Sequence, residues 1–322
     1  MMRRTHAPPI EDVGDVTARL AVLVAAGVAP AAAWRYLAPD TATDAQTEAV
    51  RAPAVPGAHI IAAAARAAEE GDSVSAALAR SAAGEEPAVR TAWCGLAAVW
   101  FVATESGAPV AQCLRQLASA FQALGQTQRD LRVALAGPAA TAKLVTALPV
   151  VGVLFGLGLG FNTLQTLFTT APGLACLTAG VLMMVLGALW NRRMIRRATP
   201  RDVTPGLTVD LTAMAMAGGG SIDRARGLVA EAARRYGIRD AHERTIESVV
   251  GLSSRAGVPV AELLRGEADR VRREARTAGQ QAAATLAVHL MLPLGVCVLP
   301  AFMLLGVAPL LLAIISSTVA SI

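Results

Sequence analysis

Lys143 is the only lysine among the 322 residues. It stands between Ala142 and Leu144, not in the Gly-Lys-Ser/Thr order that carries an amine to the terminal phosphates of a nucleotide. Gly218-Gly219-Gly220-Ser221 has the glycine content of a phosphate cradle, but apolar helical residues flank it and no strand pattern precedes it. It reads as a turn between helices with Ser221 as the N-cap. Apart from the Cys297 thiol, His289 is the one titratable side chain of residues 285–322, with Val288 and Leu290 beside it, so a core or interfacial histidine is favoured over a proton relay. Cys94, Cys113, Cys176 and Cys297 stand far apart with no Cys-x-x-Cys pair, as small buried hydrophobes do and as metal sites or disulfide frameworks do not. No Ser-His-Asp, His-Glu-x-x-His or paired-carboxylate pattern stands out. The sequence offers no catalytic, cofactor-binding or metal-ligating set, and it reads as that of a non-enzymatic protein.

Two other groups of residues suggest contact with partners. The run 265–276 holds Arg265, Arg270, Arg272, Arg273 and Arg276. Asp269 with Arg273 and Arg270 with Glu274 sit four residues apart, so a salt-laced solvated helix face stands beside the reading of a docking surface. Glu105, at the end of an earlier helix, is a further candidate contact. Gly152, Gly156 and Gly160 repeat every four residues along one apolar helix, where glycines let helices approach closely in lipid. A contact within the chain and self-association into a homo-oligomer are equally open there.

The elements that carry these residues are written twice. Glu105-Ser106-Gly107-Ala108-Pro109-Val110-Ala111 returns as Arg255-Ala256-Gly257-Val258-Pro259-Val260-Ala261, at an offset of 257 − 107 = 150. Proline suits a first helical turn, where its missing N–H would be unpaired anyway. An amphipathic helix follows each copy, with Val110, Cys113, Leu114, Leu117, Phe121 and Leu124 on the apolar side of the first and Val260, Leu263, Leu264 and Val271 on that of the second. Farther upstream, Leu20, Ala26, Gly27 and Leu37 match Leu211, Ala217, Gly218 and Leu228 at an offset of 211 − 20 = 191. Two offsets mean a duplication with an insertion. Residues 17–37 read as two short helices, followed by a surface loop around 38–58. Further helices are expected over 60–70 and 73–82, and another from Pro87 to Gly107 with Trp93, Trp100 and Phe101 in the core of the first module.

Hydropathy sets the second level of organisation. Hydrophobic residues make up 54% and mean hydropathy is +0.49, high for a wholly soluble chain. The 47 residues 144–190 contain no charged side chain, enough for two bilayer crossings of about 20 residues and a turn. Asn191-Arg192-Arg193-Met194-Ile195-Arg196-Arg197 follows at once and marks the cytoplasmic side. The expected organisation is all-α: a first cytoplasmic helical module over 1–143, a transmembrane hairpin over 144–190 with an external turn at about 162–173, a second, related module over 191–284, and one final span over 285–322, kinked near Pro293 or Pro300. The first residues carry Pro8, Pro9, Glu11 and Asp12 where a signal peptide needs an apolar stretch, so the N-terminus is expected in the cytoplasm and the C-terminus outside. The net charge of +5 is nearly all arginine and is not gathered into a nucleic-acid patch.

This order of modules and spans resembles the type II secretion system F-domain family: the inner-membrane platform proteins of type II secretion and type IV pili, and the paired B and C proteins of tight-adherence (Tad, Flp) pili. The matching residues are Ala26-Gly27, Gly71-Asp72-Ser73-Val74-Ser75-Ala76-Ala77-Leu78, the two Gly-x-Pro copies, Ala217-Gly218, Leu292-Pro293-Leu294 and Leu299-Pro300-Ala301. The first half is more similar to the B type and the second to the C type, as in a fusion of the two. Arg255 departs from Glu105, and the Gly71-Asp72-Ser73 segment has no counterpart in the second copy. The resemblance implies a multi-pass platform in the inner membrane that contacts a cytoplasmic assembly ATPase, prepilin subunits and lipid, with no cofactor. A three-span permease or transporter subunit would share the topology; uncharged spans and duplicated modules favour the scaffold.

Overall fold

The computed structural model describes residues 9–38, 57–158, 168, 170–198, 204–239, 242–289, 292, 294–309 and 311. Among these the fold is all-α, as expected. The helices are α1 (Pro9–Ala25), α2 (Pro30–Leu37), α3 (Ala58–Glu70), α4 (Val74–Ser81), α5 (Pro87–Ser106), α6 (Val110–Gly158), α7 (Ala171–Ala198), α8 (Leu207–Ala217), α9 (Ile222–Tyr236), α10 (Glu243–Ala256) and α11 (Val260–His289). A last helical stretch, α12, runs through Leu294–Val298, Leu299–Phe302 and Met303–Val307. The loop expected around 38–58 lies mostly outside the described residues.

Local chemistry accounts for most of the boundaries. Ser73 and Ser221 cap α4 and α9, each Oγ accepting the N–H of the third residue on (Ala76 and Arg224, both at 3.3 Å). The duplicated Gly-x-Pro turns have one geometry: Gly107 and Gly257 take φ of 71° and 68°, closing α5 and α10, and a new helix opens at Val110 or Val260. Helix α1 starts at Pro9, eight residues before the expected Thr17. Proline in the first turn with Glu11 and Asp12 beside it is a helix start in its own right, and it buries Ile10, Val13 and Val16.

By compactness the chain divides into two units: Met1–Arg129 with Arg201–Thr277, and Asp130–Pro200 with Ala278–Ile322. The divisions drawn from hydropathy fall elsewhere, at 143/144, 190/191 and 284/285. Two long helices, α6 and α11, run through two of the three points where the units change, 129/130 and 277/278, so no linker marks those two in the sequence; the third, 200/201, lies outside the described residues.

In the first unit α5 is the centre. Val89, Ala92, Trp93, Leu96 and Ala97 to Ala103 are all buried, the pattern of a helix enclosed on every side. Helices α1 and α4 pack on it from the first half of the chain, α8 and α9 from the second. One apolar core therefore joins the two modules, running from Leu20, Trp34 and Leu78 through Leu96 and Leu114 to Leu211, Met214, Val229 and Tyr236. Trp34 and Trp100 meet edge to face with centroids 5.3 Å apart. Phe101 turns to the second module instead, against Tyr236 (5.9 Å) and under the Arg235 guanidinium (5.1 Å). Gly218 is required where α8 ends on α5, since a Cβ there would stand 2.0 Å from the Ser106 carbonyl oxygen. A smaller core, Val209, Ala213, Ile246, Val249, Leu264 and Ala268, joins α8, α10 and α11.

In the second unit, α7 opens with the Gly173 N–H donating to Thr170 Oγ1 at 3.2 Å, which places Pro172 and Gly173 in its first turn; the preceding residues 159–167 lie outside the described ones. Among the described residues, Ala171–Ile195 is the one helix long and apolar enough to cross a membrane, with a mean hydropathy of 2.0. Gly173, Gly180 and Gly187 are buried at seven-residue spacing along it. α12 packs on this helix, and at Gly180 an added Cβ would stand 2.5 Å from Leu305 Cγ. α12 widens to π-helical turns on both sides of Pro300, a common answer to a proline that cannot donate within a helix.

Candidate partner-binding surface

The arginine run lies on α11, whose apolar positions Leu264 and Ala268 anchor it to α8 and α10. Its outer face is salt-laced. Arg270 binds Glu267 (Nε to Oε2, 2.9 Å) and Glu274 (2.6 Å). Both glutamates flank it on the same helix, and the carboxylate hydrogen bond holds Glu267 below the usual carboxylate range. Arg273 and Arg276 are exposed, and no ion pair joins either to another described residue. Asp269, expected to pair with Arg273, pairs with Arg272 one residue closer. Glu105 is exposed in the last turn of α5 and is joined to none of the arginines by a hydrogen bond or ion pair among the described residues.

Arg272 and Arg265 turn inward. The Arg272 guanidinium donates to the carboxylate of Asp210 on α8, across 62 positions of sequence. Asp210 is 5% exposed. Burial pushes its carboxyl up to about 6, against the pull of the Arg272 guanidinium, which itself stays charged with Asp210 and Asp269 around it. Arg265 pairs with Glu262 at 2.5 Å, while its Nε is buried without a hydrogen-bond partner. Its charge acts on both Asp210 and Cys113, and burial holds the Cys113 thiol at about 11 despite it. Cys113 is therefore a buried thiol rather than a nucleophile.

Asp210 is a residue that sequence reasoning passed over. The signal was there: one carboxylate within the apolar helix Leu207–Ala217 has to find a cation or pay a large desolvation cost. His289 has a local partner, Nδ1 lying 2.8 Å from the Thr285 carbonyl one turn back. Gly152 and Gly156 fall within α6, whose packing there lies outside the described residues, as does Gly160 altogether.

A further surface feature of the first unit is a groove between α3 and α4 lined by Arg66, Glu70, Asp72 and Arg80. It is open and charge-balanced, beside the Gly71-Asp72-Ser73 turn. Among the described residues no three metal-ligating side chains gather. No family model, curated protein or solved structure matches this chain. The chain itself offers a partner an exposed, partly unpaired basic face on α11, an acidic side chain at the end of α5, and long helices leading to apolar segments.

Proposed function

We propose that this chain is a non-enzymatic inner-membrane platform of a type IV or Tad-like pilus or a type II secretion machine, coupling a cytoplasmic assembly ATPase to the entry of pilin subunits into a filament. The observation that carries the proposal is α6. It is unbroken from Val110 to Gly158, so a helix on the order of 70 Å long, at about 1.5 Å per residue, begins among core positions such as Leu114 and Phe121 and ends within the uncharged block. Helix α11 repeats the design from Val260 to His289. The proposed arrangement keeps the N-terminus and both modules in the cytoplasm, takes the chain through the membrane as a hairpin and one final span, and leaves the C-terminus outside. The uncharged block and the arginines after it support that orientation.

The contact surface in this proposal is Glu105 with Arg270, Arg273 and Arg276. Arg272 and Arg265 are set aside because they hold the interior of the unit together. Reversing the exposed charges, Glu105→Arg and separately Arg273→Glu with Arg276→Glu, will lower recovery of a P-loop ATPase with the detergent-extracted protein several-fold without lowering its own yield, since rim charges set encounter and register. Recovery at wild-type level with both variants would move the coupling surface elsewhere.

A further inference from the structure

The chain has two basic runs, and they differ in kind. On α11 every stretch of arginine is interleaved with Glu262, Glu267, Asp269 and Glu274, which pair with Arg265, Arg270 and Arg272. On α7 no acidic residue is interleaved with the arginines. No acidic residue occurs in Ala171–Ala198, so no partner is available three or four positions away. Arg192 and Arg193 are exposed and enter no ion pair among the described residues. Positions 196 and 197 follow one helical turn later, in register with 192 and 193.

The position of this bare run decides what it fits. The apolar helix Ala171–Ile195 has 25 residues, about 37 Å at 1.5 Å per residue, against a hydrocarbon core of about 30 Å. Its last turns therefore extend past the hydrocarbon into the headgroup layer. Trp190, 46% exposed, occupies the interfacial level that tryptophan favours. We infer that the arginine collar after Trp190 is a binding site for anionic phospholipid headgroups. Guanidinium groups at that depth can donate to phosphate oxygens while the tryptophan lies at the acyl boundary. A monoanionic lipid keeps the net negative charge that the unbalanced arginines attract, and a zwitterionic lipid does not. The inference rests on the reading that α7 crosses the bilayer.

Trp190 also supplies the probe. Trp34, Trp93 and Trp100 are buried in the first unit, so quenching by lipid-borne bromine reports on Trp190. The full chain, purified in detergent, is reconstituted into phosphatidylcholine vesicles that contain the same minor fraction of either brominated phosphatidylglycerol or brominated phosphatidylcholine. The expected result is quenching by the anionic lipid as though it were enriched about fivefold around Trp190. That preference falls toward unity in high salt and in R192Q/R193Q/R196Q/R197Q, and it is retained when the same four positions carry lysine. Equal quenching by the two lipids would overturn the collar while leaving the span. No quenching by either lipid would overturn the span, and the collar with it.

Discussion

Replacing Arg272 by methionine will destabilise the first unit by about 3–5 kcal/mol near neutral pH, because it leaves the Asp210 carboxylate buried without its counter-ion. Cutting back an exposed arginine of the same helix, such as Arg273, will change stability by less than about 0.5 kcal/mol. The loss will depend on pH. In the wild-type fold the Asp210 carboxyl sits near 6, above its ordinary value of 3.8. The folded state therefore holds the proton more tightly, and this group's contribution to stability falls as pH rises between those values and is flat above them. Without the Arg272 guanidinium nothing offsets burial, so the window extends upward. R272M will then be most destabilised near about pH 7.5 and will recover part of the loss near about pH 5, where Asp210 takes up a proton. Pairing it with Asp210→Leu will restore most of the stability, since a buried ion pair can be replaced by apolar side chains at little net cost. Thermal unfolding in detergent at the two pH values measures this. Equal losses for R272M and R273M, or a loss that deepens toward low pH, would contradict the buried pair.

Introducing proline at Gln126 will abolish filament formation or secretion while leaving ATPase recovery near the wild-type level. Gln126 is an exposed position within α6. Proline there removes a backbone N–H from the ladder and drives its ring into the carbonyl four residues earlier, at a cost of about 3 kcal/mol or more. The exposed contact residues on α5 and α11 lie on other helices, so binding is separable from transmission. Gln126→Ala, which keeps the helix, is the control. If the proline variant assembles filaments at the rate of the alanine variant, α6 does not carry the motion.

What could be read in advance was local. Gly107 with Pro109, Gly257 with Pro259, Ser73 and Ser221 each announce a helix end or start through groups within a few residues, and they sit where the sequence placed them. The joining of the modules could not be read this way. α5 is apolar on every side because α8 and α9, more than a hundred residues later, cover the face that α1 and α4 leave open. Periodicity finds one buried face and gives no sign of which distant helix fills a second. Asp210 and Arg272 illustrate the same limit. Arg272 matches the salt-laced surface pattern of its neighbours, and only the fold turns it toward a carboxylate 62 positions away. Among glycines the four-residue spacing of Gly152, Gly156 and Gly160 drew attention, and their packing lies outside the described residues; the seven-residue spacing of Gly173, Gly180 and Gly187, all buried, was not singled out, although Gly180 packs closely on Leu305.

In the proposed function this chain is the platform on which an ATPase-driven filament is assembled. Deleting the chain from its host and restoring it on a plasmid tests that claim most directly, with surface filaments or secreted cargo and solute uptake measured side by side. The expected result is that filaments or secretion disappear while the ATPase and pilin subunits are still made, that the wild-type chain restores them and Gln126→Pro does not, and that uptake is unchanged. Filaments and secretion at full level in the deletion strain, together with the loss of a transported solute, would contradict it.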